Sequence, residues 1–257
     1  MHRFARAVLI SDLHLCTSRP DITRAFHVFI DEVAPRYDAL FILGDFFEYW
    51  VGDDAATDFH RSIAERLKQC STHQAVFLMV GNRDFALGEH FANLCGATLL
   101  PDPSTVELAE QSWLLSHGDA LCTEDVGYQR YRRIIRHPWV LATLRRLPLK
   151  WRLTLAERLR QNSRQRYQSG RTGLVDVTDS AVVALLNQHP NSHLIHGHTH
   201  LADWHHHTTA NGQQDRLVLG DWHHYGWYLS VQPEATELHR FAIEDPEFEP
   251  VQAGVPL

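Results

Sequence analysis

Short apolar runs alternate with amphipathic stretches along the chain. Ala7-Val8-Leu9-Ile10, Leu40 to Leu43 and Ala75 to Val80 are β-branched and aliphatic runs of the kind buried in a sheet. Between the first two, Ile22, Phe26, Phe29, Ile30 and Val33 recur at helical intervals behind Asp21, a candidate N-cap, and Pro35 closes the segment. Phe59, Ile63 and Leu67 form one stripe of a helix predicted over Asp58 to Cys70. Further short strands are predicted at Ala97 to Leu100, Val106 to Leu108, Trp113 to Ser116 and His193 to Ile195, with a helix over Val177 to Gln188. Arg216 to Gly220, Trp227 to Val231 and Thr236 to Phe241 are expected as short antiparallel strands completing a second sheet, and Pro246 to Leu257 as a loosely held tail. Alternating strands and helices imply an α/β fold whose sheet has parallel members and gathers ligands at the carboxyl ends of its strands.

Those strand ends carry a repeated chemistry. Ile10 runs into Ser11-Asp12-Leu13-His14, where the i, i+2 spacing puts Asp12 and His14 on one face of an extended chain. Leu43 runs into Gly44-Asp45-Phe46-Phe47-Glu48, and Val80 into Gly81-Asn82-Arg83-Asp84. Ser116 is followed by His117-Gly118-Asp119, and Ile195 by His196-Gly197-His198-Thr199-His200. Asp12, His14, Asp45, Asn82, His117, His198 and His200 together mix carboxylate, amide oxygen and imidazole without thiolate. That set is too rich in His for calcium and too rich in oxygen for structural zinc, so it fits Mn²⁺, Fe²⁺ or catalytic Zn²⁺. It also exceeds the needs of one open ion; two ions roughly 3.5–4 Å apart would use it, one carboxylate bridging.

Composition sharpens the picture in one place. The 257 residues are 44% hydrophobic and 21% charged, ordinary for a globular protein, and the net charge of -7 argues against a general nucleic-acid binder. Of 24 Lys or Arg residues, however, 13 lie between Tyr128 and Arg171, accompanied by one acid, Glu157, of the chain's 31. This basic, Trp-containing stretch is predicted to be a helical insertion broken at Pro138 and Pro148. Cys16, Cys70, Cys95 and Cys122 form no CxxC pair and fit reduced thiols. The opening residues predict no signal peptide, and no apolar run approaches the roughly 20 residues that span a bilayer, so membrane contact is expected to be peripheral.

Five spaced blocks resemble the signature of the calcineurin-like metallophosphoesterases: Asp12-Leu13-His14, Gly44-Asp45-Phe46-Phe47-Glu48, Gly81-Asn82-Arg83-Asp84, His117 and Gly197-His198-Thr199-His200, in that order. The resemblance implies a four-layer αββα sandwich as a single domain over 1-257. It places Asp12, His14, Asp45 and His200 around one ion, and Asp45, Asn82, His117 and His198 around the other. Where many members have His after Gly-Asn, this chain has Arg83, which cannot donate a proton to an alkoxide but can grip phosphate oxygens, as a diphosphate substrate requires.

The blocks Ile10 to Cys16, Gly52-Asp53-Asp54, His117 to Thr123 and Leu194 to His200 narrow the resemblance to the lipid A branch of that family. The branch hydrolyses the diphosphate of UDP-2,3-diacylglucosamine to UMP and lipid X, at the cytoplasmic face of the inner membrane, and holds the acylated sugar under an inserted helical cap, here 126-171. It implies two divalent ions, most suitably Mn²⁺, a bridging hydroxide that attacks the α-phosphorus, and catalytic roles for Asp45, Asn82, Arg83 and His198. Substrate contacts carried over by type are Asn82, Arg83, Asp125, Ser163 and His198. Tyr167 and Gly170 stand where the branch often has Asn and Lys, with Arg171 as a substitute charge. An acylated UDP-sugar and the membrane surface are the expected partners, with no nucleic acid and no obligate protein partner.

Other conspicuous residues have plainer readings. His205-His206-His207 and His223-His224 are expected to be solvated strand or loop residues, Cys16 and Cys122 small buried hydrophobes, and Trp139 and Trp151 packing residues of the cap. Asp53 and Asp54 are candidates for orienting His or Arg side chains. Glu48 completes its block without an independent role. The competing readings are a hydrolase of soluble nucleotides on the same fold and a nucleic-acid-binding scaffold.

Overall fold

A computed structural model describes residues 1–168 and 176–248, the side chains of 159–168 excepted. In chain order the elements are β1 (Arg3–Phe4), β2 (Ala7–Ile10), α1 (Pro20–Glu32), β3 (Ala39–Leu43), α2 (Asp58–Cys70), β4 (Ala75–Met79), α3 (Glu89–Leu94), β5 (Thr98–Leu100), β6 (Ser104–Leu108) and β7 (Gln111–Ser116). There follow α4 (Val126–Ile135), α5 (Pro138–Arg146), α6 (Leu149–Gln168), α7 (Asp179–Gln188), β8 (Ser192–His196), β9 (Asp203–Thr209), β10 (Gly212–Val218), β11 (Tyr225–Val231) and β12 (Thr236–Ala242).

Two six-stranded sheets result, ordered β12-β11-β2-β3-β4-β5 and β1-β6-β7-β8-β10-β9. The apolar runs of β2 and β3 lack polar alternation because both faces are covered. Ala7, Leu9, Ala39, Phe41 and Leu43 face the other sheet, meeting Leu115, Ile195 and Leu217. Val8, Ile10, Leu40 and Ile42 face outward onto Phe26 and Phe29 of α1 and Ile63 and Leu67 of α2. On the far side Leu114 and Leu194 pack against Val182 and Leu186 of α7. Helix, sheet, sheet and helix make the four layers expected.

Within this frame β2, β3, β4 and β5 run parallel, as do β7, β8 and β10, so their carboxyl ends gather along one rim. The expected third group of antiparallel strands is divided instead. β10 joins the second sheet, parallel to β8 and antiparallel to β9, whereas β11 and β12 extend the first sheet beside β2. Apolar pattern marks a strand but not its partner, which the pairing Leu229↔Leu9 decides. Asp21 is not the N-cap of α1; that position is Arg19, whose guanidinium is paired with Asp21 inside the first turn. In the expected tail, Phe248 packs its ring on Phe29, Tyr228 and Phe241, while residues 249–257 lie outside the described residues.

Pro138 opens α5 and Pro148 precedes α6, so both breaks in the insertion fall at the prolines. The insertion has almost no core of its own. No residue of α4 or α5 is buried, and Trp139 and Trp151 are 76% and 67% exposed, which corrects their reading as packing residues.

Candidate metal centre

The strand ends hand over to turns in which the backbone runs left-handed. φ is positive at Asp12 (57°), His14 (51°), Asp45 (48°), His198 (69°) and His200 (61°), five of eight such non-glycine residues described. A non-glycine residue in that region costs about 1–3 kcal/mol, and such strain clusters where a side chain must be aimed. The extended-chain account of Asp12 and His14 is thereby corrected: β2 ends at Ile10, and the two side chains converge because both residues leave the β region. Gly44 (φ 89°) is required for closeness as well as turn, since a Cβ there would lie 2.6 Å from His117 Nδ1 and 2.7 Å from Gly81 N.

Asp12, His14 and His200 present ligand atoms within 4.8 Å of one another, and so do Asp12, Asp45 and His117. His200 Nε2 lies 3.3 Å from Asp12 Oδ1, His14 Nε2 4.0 Å from Asp45 Oδ2, and His117 Nε2 3.6 Å from Asp45 Oδ1. Asn82 Oδ1 is 3.0 Å from His117 Nε2, and the ring of His198 is 5.1 Å from that of His117. The seven expected ligand residues are therefore gathered at one place, with Asp45 between His14 and His117, and Asp12 shared by both groups.

The two carboxylate oxygens of Asp12 are used differently. Asp12 Oδ2 accepts from Ser11 Oγ (2.6 Å) and His198 N (2.9 Å), whereas buried Oδ1 accepts no hydrogen bond. His117 Nδ1 donates to Leu43 O at 2.9 Å, which directs Nε2 toward Asn82 Oδ1 and Asp45 Oδ1 and leaves a lone pair there whenever the ring is neutral. Glu48 Oε2 stands 3.7 Å behind His14 Nδ1, and Asp221 Oδ2 3.5 Å behind His200 Nδ1. Imidazoles backed by carboxylate or carbonyl, with Nε2 converging on carboxylate oxygens, are a donor set suited to divalent cations.

Electrostatics agrees. Burial pushes the Asp45 carboxyl up to about 7 and the His14 and His198 imidazoles down to about 3. Burial also disfavours the His200 cation, but neighbouring Asp12 outweighs it and raises His200 to about 9. Asp12 in turn is held below the usual carboxylate range against its burial, mainly by His200. The buried carboxylates lean on a histidinium for compensation that a divalent cation supplies more fully.

Around the centre, Arg83 N donates to Asp45 Oδ1 at 2.7 Å, and Asp84 accepts from Gly81 N (2.7 Å) and Phe46 N (2.8 Å), tying the β3 and β4 turns together. The Arg83 guanidinium lines a groove beside His14 and His200 and makes no hydrogen bond or ion pair among the described residues.

Sequence reasoning passed over the residue that joins the insertion to this centre. Asp119, fully buried two residues after His117, accepts from Tyr128 Oη (2.6 Å), Arg132 Nε (2.9 Å) and Arg136 Nη2 (2.9 Å). Arg136 also donates to Gly81 O (2.9 Å), and the Tyr128 ring stacks on His198 with centroids 6.2 Å apart. The available signal was the recurrence of the Gly44-Asp45 pair at Gly118-Asp119 and Gly220-Asp221.

The remaining candidates are distributed more widely. Asp54 holds Arg152 of α6 in a two-point ion pair, while Asp53 accepts from Gly88 N and Phe91 N and so braces α3. Asp125 caps α4, its Oδ1 accepting from Tyr128 N at 2.8 Å. Gly170 and Arg171 lie outside the described residues, as do the side chains of Ser163 and Tyr167. His205, His206 and His207 lie on edge strand β9, where His206 pairs with Asp215 opposite (2.7 Å). His223 lines the groove with its Nδ1 2.7 Å from Arg19. Cys122 is buried as expected; Cys16 is only half-buried and borders the groove.

A calcineurin-like phosphoesterase profile matches residues 5–202. The chain is 48% identical over 235 residues to a UDP-2,3-diacylglucosamine hydrolase of Pseudomonas putida (strain W619), covering 91% of this chain and 98% of that relative. It is 46% identical over 241 residues to the Pseudomonas fluorescens (strain SBW25) protein of the same name, covering 93% and 97%. For that of Pseudomonas aeruginosa (strain UCBPP-PA14) the identity is 48% over 225 residues, covering 87% and 94%.

Proposed function

The chain belongs to the calcineurin-like phosphoesterase family, and from that premise we propose that it hydrolyses the diphosphate of UDP-2,3-diacylglucosamine to UMP and 2,3-diacylglucosamine 1-phosphate. The observation that carries the reading is the junction of two unlike parts: a buried dimetal-type donor set, and over it a basic insertion with exposed Trp139 and Trp151. A diphosphate flanked by acyl chains matches both. Two divalent ions, for which Mn²⁺ suits the carboxylate, amide and imidazole donors, would supply charge stabilisation at the phosphoryl oxygens and a water of lowered pKa.

Asp12, His14, Asp45, Asn82, His117, His198 and His200 would hold those ions. Arg83 would grip the diphosphate: its backbone is fixed to Asp45, and its guanidinium has no competing partner described. An arginine at this position lends charge without a proton, which suits a phosphate leaving group that needs none. His198 is positioned from both sides, by its own backbone N–H on Asp12 and by the Tyr128 ring. The basic helices of the insertion would meet anionic headgroups at a membrane surface while their apolar side chains reach the acyl chains. Among the described residues no helix is long and apolar enough to cross a membrane, so that contact would be peripheral.

The test is UMP release from UDP-2,3-diacylglucosamine by the Mn²⁺-loaded protein, run beside simple phosphodiesters and UDP-glucose. Equal or greater turnover of the soluble compounds would overturn the reading. Hydrolysis in ¹⁸O-water places the label in UMP if the α-phosphorus is attacked, and in the lipid phosphate if the β-phosphorus is.

A further inference from the structure

We infer that the groove on the open side of the metal centre is a nucleoside subsite that takes the uridine half of the substrate, leaving the acylated half to the insertion. The inference rests on the proposed activity for the identity of the two halves. Its volume is about 640 Å³, within the range of sites that enclose a small ligand. It begins at His14, His200 and Arg83, so a nucleotide whose phosphate sits at the centre has its ribose and base directed into it.

No described residue of the insertion lines this groove. The insertion instead approaches Tyr49, which lines both the groove and a smaller cavity of about 200 Å³ shared with Leu153, Ala156 and Glu157 of α6. Tyr49 thus borders two compartments, one lined by Leu153, Ala156 and Glu157 of the insertion and one at the sheet rim.

The lining decides which half of the substrate each compartment suits. Thr17 and Ser18 offer exposed hydroxyls to the groove. Packing an acyl chain there would strip water from these groups without replacing their hydrogen bonds, which is costly. Ribose hydroxyls and the imide of uracil would satisfy them. Phe59 supplies a half-buried aromatic face of the kind on which a base stacks. Arg19 adds no free charge for further phosphates, because it is already held by Asp21 and by His223 O at 2.8 Å. The groove is therefore matched to a neutral nucleoside beyond a single phosphate.

Ser18→Trp fills the groove from an exposed position outside the ligand set, and Phe59→Ala removes the stacking face. Both are read in the full-length, Mn²⁺-loaded protein by calorimetric titration with UMP and, separately, with 2,3-diacylglucosamine 1-phosphate. The expected result is UMP affinity lowered at least tenfold in each variant, with affinity for the acylated sugar phosphate unchanged within twofold. Unchanged UMP affinity in Ser18→Trp, or a loss confined to the acylated ligand, overturns the assignment, the latter by giving the groove to the lipid half. Melting temperatures equal to that of the parent protein exclude misfolding as the cause. Because UMP binding is measured without turnover, failure to cleave the UDP-lipid would sink the proposed activity alone and leave the subsite result standing.

Discussion

Glu48 and Asp221 stand behind His14 and His200 at distances, 3.7 and 3.5 Å, where a carboxylate fixes the orientation of a ring without leaving the protein surface to do so. Neither is close enough to the shared centre to be counted with the ligand groups, so their effect passes through the histidines. Glu48→Gln and Asp221→Asn are each expected to weaken Mn²⁺ binding roughly 10–100-fold, measured by calorimetry, while the melting temperature in EDTA stays put. A melting point that falls in EDTA would make the two carboxylates structural instead. Gly44→Ala has a different expectation. With φ at 89° and backbone within 3 Å of the new Cβ, the β3 turn has to shift, taking Asp45 and His117 with it, and metal affinity and stability fall together.

The insertion is held to the body by charged hydrogen bonds, since α4 and α5 bury nothing apolar of consequence. Asp119 anchors α4 through Tyr128, Arg132 and Arg136, and Arg152 anchors α6 through Asp54 and Val51 O (2.7 Å). Removing this buried carboxylate takes the main partner from two guanidiniums, Arg132 keeping Asp102 at 3.8 Å and Arg136 keeping Gly81 O, so the cost falls at the low end for a broken buried pair, about 3 kcal/mol. Asp119→Asn is accordingly expected to lower stability by about that amount in urea titrations performed in EDTA.

The pH dependence of that difference follows from the Asp119 carboxyl. Burial opposes its ionisation, but His117, Arg136 and Arg132 outweigh burial and hold it below the usual range. A folded value below the unfolded one of about 3.9 means the contribution is complete above that pH and lost below it. The gap between parent and Asp119→Asn is therefore expected to be present at about pH 5 and to close in more acid solution. For Arg152→Ala the readout is local: faster amide exchange across the start of α6, with β2 and β3 unchanged.

At the scale of the whole molecule, a strongly acidic body carries a strongly basic insertion, 13 of the chain's 24 Lys or Arg residues in 44 positions. If the insertion meets a membrane surface, binding to phosphatidylglycerol vesicles falls steeply between low and physiological salt and is absent on phosphatidylcholine. Replacing exposed Trp139 and Trp151 together by Ala lowers binding further, because their apolar area is lost at every salt concentration. Sedimentation of the protein with vesicles checks both; equal binding to the two lipids would dismiss the surface role.

Periodicity and the strand-end residues already determined an α/β fold with parallel strands, the helical insertion with its breaks at Pro138 and Pro148, and the candidate set Asp12, His14, Asp45, Asn82, His117, His198 and His200, while the four layers followed from the family resemblance. These were legible because each is local: an apolar run reports burial on both faces, a proline stops a helix where it stands, and the donor atoms of a metal-type set are fixed by residue type. What tertiary structure alone decided is non-local. Whether β10 or β11 joins a given sheet depends on pairing between segments far apart in the chain, and the pattern of one strand does not name its neighbour. The convergence of Asp12 and His14 comes from left-handed φ values that no periodicity announces. Asp119, Glu48 and Asp221 acquire their roles only from what the fold places beside them, because a carboxylate in sequence looks the same whether it faces water, an arginine or the back of a histidine.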